Sequence, residues 1–275
     1  MEKTGREAGL RGEVGLFVDA HAHLDRYEDQ LQDAVAEIDR HRILTVSTSM
    51  NVPSYLHNLE IARMSDFILP IFGVHPWNAS GYSEHLDEME PHISRSPMLG
   101  EVGLDYRFVK HARRYPAQRT VFEVFVRAAA EQGKLLNLHT AGAEEDVLAC
   151  LDRFGIERAI IHWYAGPLDI LDDMISRGYH FTVGVEVLYS ETIKEIARRI
   201  PRDLLLTETD NPGALKWLGS GIGMPSVVSE VTAGLASLKG MSARNMAALV
   251  RSNLRRLLDE VPGLPEGFRS LLEAE

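Results

Sequence analysis

Residues 116–140, PAQRTVFEVFVRAAAEQGKLLNLHT, contain the unit from which the fold is read. The first part, 116–133, has helical apolar spacing and ends at Gly133, where a left-handed residue stops a helix. LLNLHT (135–140) follows at once. It is short, apolar and little alternated, the pattern of a strand buried on both faces. The same kind of run recurs along the chain: LFVDAHAH (16–23), ILTVSTS (43–49), FILPIFGVH (67–75) and MLGEVGLD (98–105) before it, then AIIHWY (159–164), YHFTVGV (179–185) and LLLTETD (204–210) after it. Helical stretches lie between, among them 27–42 and PLDILDDMISRG (167–178), where Leu168, Leu171 and Ile175 share a face and Gly178 marks the stop. Eight strand–helix units in a row predict an α/β fold, a single parallel (β/α)8 TIM barrel, with a doubly wound sheet as the alternative. PSVVSEVTAGLASLKG (225–240) and SARNMAALVRSNLRRLLDE (242–260) read as two closing C-terminal helices.

Composition narrows the function. The 275 residues fit one large domain or two small ones, and with no linker or repeat they read as a flexible leader over 1–15 and one barrel domain over 16–275. Cys150 is the only cysteine, which excludes an internal disulfide and a cysteine-cluster metal site and suits a reducing compartment. The formal charge of −11 makes the chain a poor non-specific binder of nucleic acid or anionic membrane. MEKTGREAGLRGEVG has no apolar core of the signal-peptide kind, and no apolar run approaches the roughly 20 residues that span a bilayer. A cytoplasmic protein with no membrane partner is expected.

The ionisable residues collect at strand ends. His21 and His23 close the first strand, two positions apart and so on one side of it. Glu101 lies in the fourth, His139 ends the fifth, His162 sits in the sixth and Asp210 ends the eighth. In a barrel these ends converge on the face where active sites are built. A lone strand histidine is more often a hydrogen-bonded core residue than a ligand, and His-x-His alone is a weak signal. Six ligand-type residues at strand ends are a different observation: four imidazoles and two carboxylates can hold two divalent metals, with a carboxylate between them. The remaining His41, His57, His85, His92, His111 and His180 read as solvated residues of helices and loops.

VDAHAHLD, GVHP, GEVGLDYR, the His139 strand, IIHWYAG and LLLTETDNP, in this order and spacing, resemble the TatD-like metal-dependent hydrolases of the amidohydrolase-like barrel superfamily. The resemblance runs from about Phe17 to the final helical segment. It implies His21, His23 and Asp210 on a first metal, Glu101 bridging, and His139 and His162 on a second. It makes Asp210 the general base that takes a proton from water. Glu208 supports the ligands rather than joining them, and His75 is a substrate contact or accessory ligand. Family members are commonly DNases acting on single-stranded or damaged DNA. Four imidazoles favour Zn, Mn, Ni or Co, with Zn or Mn expected here, although Mg can still support turnover.

Two further features bear on the substrate. Arg107, Lys110, Arg113 and Arg114 form a basic cluster just after Glu101, read as a phosphate-attracting loop at the mouth rather than a solvated charge run. Trp77 and Trp163 are aromatic groups on which bases could stack. The chain also departs from the family pattern. His139-Thr140-Ala141-Gly142-Ala143 stands in place of His-Ser-Arg-Asp-Ala, His162-Trp163-Tyr164 in place of His-Cys-Phe, and Asn211-Pro212-Gly213-Ala214 follows Asp210. The metal ligands are therefore expected whole and the substrate shell rebuilt. Three readings follow: a two-metal DNase, a hydrolase of a small ester, lactone or amide, and a component of a larger assembly whose barrel recognises a protein partner.

Overall fold

The computed structural model describes residues 16–219 and 221–274, so the expected leader over 1–15 lies outside the described residues. All eight expected strands are present: β1 (Phe17–Ala22), β2 (Ile43–Ser47), β3 (Ile68–Pro70), β4 (Met98–Gly103), β5 (Leu135–His139), β6 (Ala159–Ile161), β7 (His180–Val183) and β8 (Leu205–Thr207). Every strand residue is buried, as unalternated apolar runs require. The helices are α1 (Leu31–His41), α2 (Val52–Ile61), α3 (Glu90–Arg95), α4 (Tyr115–Gln132), α5 (Glu144–Phe154), α6 (Leu168–Ser176), α7 (Glu191–Arg199), α8 (Gly213–Trp217), α9 (Val228–Leu238), α10 (Ala243–Leu258) and α11 (Glu266–Glu273).

The strands pair in parallel as two ladders, β1-β2-β3 and β4-β5-β6-β7-β8. A parallel bridge between Phe72 and Leu99 joins the first ladder to the second. At the other seam no ladder forms between β8 and β1 among the described residues. Hydrogen bonds span it instead: Asp210 N–H to His21 O at 2.9 Å, His23 N–H to Asn211 O at 2.8 Å, and the Thr207 hydroxyl to Val18 O at 2.6 Å. The Asp19 carboxylate adds to them, accepting from the Thr209 N–H at 2.9 Å and its hydroxyl at 2.6 Å. α9 and α10 pack against β1 and β8 from outside. The seam that carries His21, His23 and Asp210 is therefore fixed by both backbone and side chains.

Four details differ from the sequence expectation. The helix over 27–42 starts only at Leu31, because Glu28 has φ 50° and a left-handed residue cannot continue a right-handed helix. α6 buries Leu171 and Met174, whereas Leu168 at its first position is exposed. α11 is a third closing helix beyond the two expected, with Phe268 and Leu272 buried. His180 is not a solvated loop residue: it opens β7, it is buried, and burial followed by the nearby Arg256 charge pushes its pKa down to about 4.

Candidate metal centre

The C-terminal ends of the strands bring all six expected residues together. His21 and His23 point the same way from the end of β1 and its continuation. Their Nε2 atoms lie 3.4 Å apart. Glu101 Oε2 is 3.5 Å from His21 Nε2 and 3.2 Å from His23 Nε2. Asp210 Oδ1 is 3.7 and 3.3 Å from the same two atoms. A tetrahedral ion with bonds of about 2.0–2.1 Å needs ligand atoms about 3.3–3.4 Å apart, so this donor set fits a divalent metal.

The other Glu101 oxygen faces a second group. Oε1 lies 2.8 Å from His139 Nδ1, 3.3 Å from His75 Nε2 and 3.7 Å from His162 Nε2. The two oxygens of one carboxylate thus look at two separate sets of imidazoles. Two glycines permit this close assembly. A Cβ on Gly73 would fall 2.4 Å from the Glu101 nitrogen, and one on Gly103 (φ 150°) only 1.9 Å from the His139 carbonyl oxygen.

Outer partners decide which ring nitrogen offers a lone pair. Asn137 donates its amide to Ala20 O at 2.9 Å, which turns its Oδ1 toward His21 Nδ1, also at 2.9 Å. His162 Nδ1 lies 2.7 Å from Glu208 Oε2, and His139 Nε2 lies 3.3 Å from Asp105 Oδ2. An amide or carboxylate oxygen accepts the outward proton of each of these imidazoles, so the inward nitrogen is the one that can bind an ion once it carries no proton. His75 is wired the opposite way: its Nδ1 accepts the Trp77 N–H at 3.1 Å, which leaves Nε2 as the N–H facing Glu101. Close spacing also groups His21, His162 and Glu208. Because Glu208 meets the outward nitrogen of His162, it serves as an orienting acceptor there.

Electrostatics follow from this packing. Burial alone would push Glu101 up, but the surrounding imidazoles, His75 and His21 first, hold it well below the usual carboxylate range. Asp210 is treated the same way, its rise on burial overcome by the His23 hydrogen bond and the neighbouring rings. Burial lowers His23 and His139, yet hydrogen bonds to Asp210 and Glu101, and to Asp105 and Glu101, raise them to about 10 and about 9. His162 is raised against burial chiefly by the Glu208 charge. For His75 burial outweighs Glu101, and its pKa falls to about 4.

The centre opens into a cavity of about 320 Å³. Trp77 and Trp163 line it, and both indole N–H groups donate to carboxylates, Asp105 Oδ2 and Glu186 Oε2, each at 2.6 Å. Of the basic cluster only Arg107 lines the cavity. Its backbone N–H and that of Tyr106 both donate to Ala141 O, so the loop leans over the stretch where the family pattern has an arginine. Its guanidinium donates to Ala165 O at 3.1 Å and lies 3.9 Å from Glu144. Lys110 and Arg113 are exposed outside the lining, and Arg114 donates to Trp77 O at 2.6 Å. Sequence reasoning missed Arg26, Glu144 and Glu186 in the lining and Asp105 and Asn137 behind the ligands. Asp105 and Asn137 did carry a signal. Asn137 precedes His139 by two on one strand face, and Asp105 follows two residues after the strand that carries Glu101.

Comparison with known proteins agrees with this geometry. The family described as TatD related DNase matches residues 18–259. An uncharacterized metal-dependent hydrolase of Bacillus subtilis, YabD, is 27% identical over 254 residues, covering 88% of this chain and 98% of that protein. Human deoxyribonuclease TATDN3 is 24% identical over 267 residues, with 90% and 96% covered. Among solved structures, the Escherichia coli TatD homolog YJJV superposes with a TM-score of 0.79 at 20% identity, over 88% of this chain and 97% of that one. No helix among the described residues is long and apolar enough to cross a membrane. The eight parallel strands, the paired His/Glu clusters at their ends and the match along most of the chain together identify a metal-dependent hydrolase: the chain belongs to the TatD related DNase family.

Proposed function

We propose that the protein is a two-metal phosphodiesterase that cleaves DNA, with single-stranded DNA as the substrate that fits best. The observation that carries this reading is the division of the Glu101 carboxylate between two imidazole groups. His21, His23, Glu101 and Asp210 would hold one ion, and Glu101, His139 and His162 the other. Four imidazoles make Zn or Mn the expected occupant. When bound, a divalent pair polarises the phosphoryl oxygen and acidifies water.

The chain's own groups supply the rest. Asp210 is the reachable carboxylate of the cluster, its side chain 20% exposed against 3% for Glu101. Held ionised, it acts as the general base that accepts the proton from water. His75 presents its Nε2–H beside Glu101 and donates to a substrate oxygen rather than joining the ligands. Arg107 draws the anionic substrate to the mouth. Trp77 and Trp163 offer flat apolar faces to unpaired bases, which a duplex would keep stacked.

A second reading, hydrolysis of a small ester, lactone or amide, is favoured by the modest cavity and by the carboxylates of Glu144 and Glu186 in its wall. One experiment separates the two. Labelled single-stranded DNA is offered to metal-stripped protein with Mg, Mn or Zn added back singly, beside a Glu101→Ala control. Cleavage that needs metal and is lost in the control supports the nuclease. Absence of cleavage with metal demonstrably bound rejects it in favour of the small-substrate reading.

A further inference from the structure

Trp163 follows the His162 position directly, and its backbone has φ 40°. A bulky residue in the left-handed region is an outlier, held only where the surrounding structure determines it. Here both ends of the residue are held from the β7 side. Its N–H donates to the Thr182 hydroxyl at 3.0 Å, and its indole N–H donates to Glu186 Oε2 at 2.6 Å. Thr182 is buried in β7, and Glu186 lies in the turn immediately after that strand. The indole stands edge-on to His162, with ring centres 6.1 Å apart and planes at 89°. It is half-buried and lines the cavity, as does Glu186.

A residue that only filled space between β6 and β7 would need neither a left-handed backbone nor a charged acceptor for its N–H. A carboxylate acceptor gives a shorter and stronger bond than a neutral one, and it fixes the plane of the ring. We infer that Thr182 and Glu186 are positioning residues that hold Trp163 as a stacking wall beside the metal centre, selecting phosphate esters that carry one unpaired planar ring next to the reacting phosphate. This rests on the phosphoester reading above and adds the feature of the substrate that the pocket recognises. Base-on-aromatic stacking of this kind corresponds to an affinity gain of about 5- to 150-fold.

The test compares two ligands that differ only in the ring. Binding of deoxythymidine monophosphate and of deoxyribose 5-phosphate is measured calorimetrically on manganese-loaded wild type, Trp163→Ala, Trp163→Phe, Glu186→Leu and Glu186→Gln. Wild type should prefer the nucleotide by about 5- to 150-fold. Trp163→Ala and Glu186→Leu should abolish most of that preference, lowering nucleotide affinity far more than deoxyribose phosphate affinity. Glu186→Gln, which still accepts the indole N–H, should keep most of it, and Trp163→Phe should fall between. A preference that survives both Trp163→Ala and Glu186→Leu overturns the inference, as does an equal loss for both ligands or a wild type that binds the two equally. A wild type that binds neither overturns the phosphoester reading itself, and the inference with it.

Discussion

Asp105 offers a sharp test, because removing its charge should act on the metal centre in two opposite ways. Its Oδ2 faces His139 Nε2 at 3.3 Å, and Asp105 is the first of the partners that raise His139 to about 9 against the effect of burial. In the metal-free protein at pH 7 that imidazole is protonated, about two pH units below its pKa. Displacing the proton weakens metal binding by about 100-fold, or about 2.7 kcal/mol. Asp105→Asn lets His139 fall toward 6.5 and removes much of this competition. It also replaces the charged acceptor that orients the ring with a single neutral amide oxygen that Trp77 shares, a loss of about 10- to 100-fold in metal affinity. At pH 9 only the second effect remains. Manganese titrations of metal-free protein should therefore show a deficit of about 10- to 100-fold at pH 9 that shrinks by about tenfold or more at pH 7. Asp105 also accepts from the Phe108 N–H at 2.7 Å and from Trp77 at 2.6 Å. The amide must turn a donor toward one of these donors, so the variant should also lose about 1–3 kcal/mol of stability in a urea melt. A deficit independent of pH, or normal affinity at pH 9, would rule out this double role for Asp105.

Two other predictions concern groups away from the ligands. His180 is buried neutral with a folded pKa of about 4 against an ordinary 6.5, so the unfolded chain takes up its proton first as the pH falls. Stability should drop by about 2–3 kcal/mol between pH 6.5 and 4, and His180→Phe should remove that part of the slope in urea melts; parallel curves for the two proteins would show the assignment is wrong. Arg107→Ala should raise KM on single-stranded DNA and lower the salt slope of kcat/KM by about 0.7, whereas Lys110→Ala and Arg113→Ala should do less. Equal effects from all three would mean that the whole loop, rather than the one side chain in the cavity wall, attracts the substrate.

The barrel was legible because each βα unit buries its strand on both faces, and that leaves an unalternated apolar run in the sequence. The candidate ligands were legible for a related reason: strand ends in such a fold share one face, so His21, Glu101, His162 and Asp210 could be placed together without knowing any contact. The groups behind them were harder to see. Asp105 and Asn137 act through neighbours across the barrel, and nothing local in GVEVLYS marks Glu186 as the holder of a tryptophan just past the preceding strand. The basic cluster misled for a physical reason. Asp105 caps the Phe108 N–H and Val109 is buried, so the loop turns after Arg107 and carries Lys110 and Arg113 outward. His180 misled because its buried place at the start of β7, within reach of the Arg256 charge, is set by tertiary packing rather than by its neighbours in sequence.

The two-metal reading puts Glu101 between two divalent ions. Anomalous diffraction at the manganese edge from crystals grown with that ion tests it directly, because it counts and locates metal independently of any substrate. Two peaks per chain are expected, one beside Glu101 Oε2 among His21, His23 and Asp210, and one beside Oε1 with His139 and His162, with at least one lost in Glu101→Ala. A single peak, or two peaks that Glu101→Ala leaves in place, would contradict the two-metal reading.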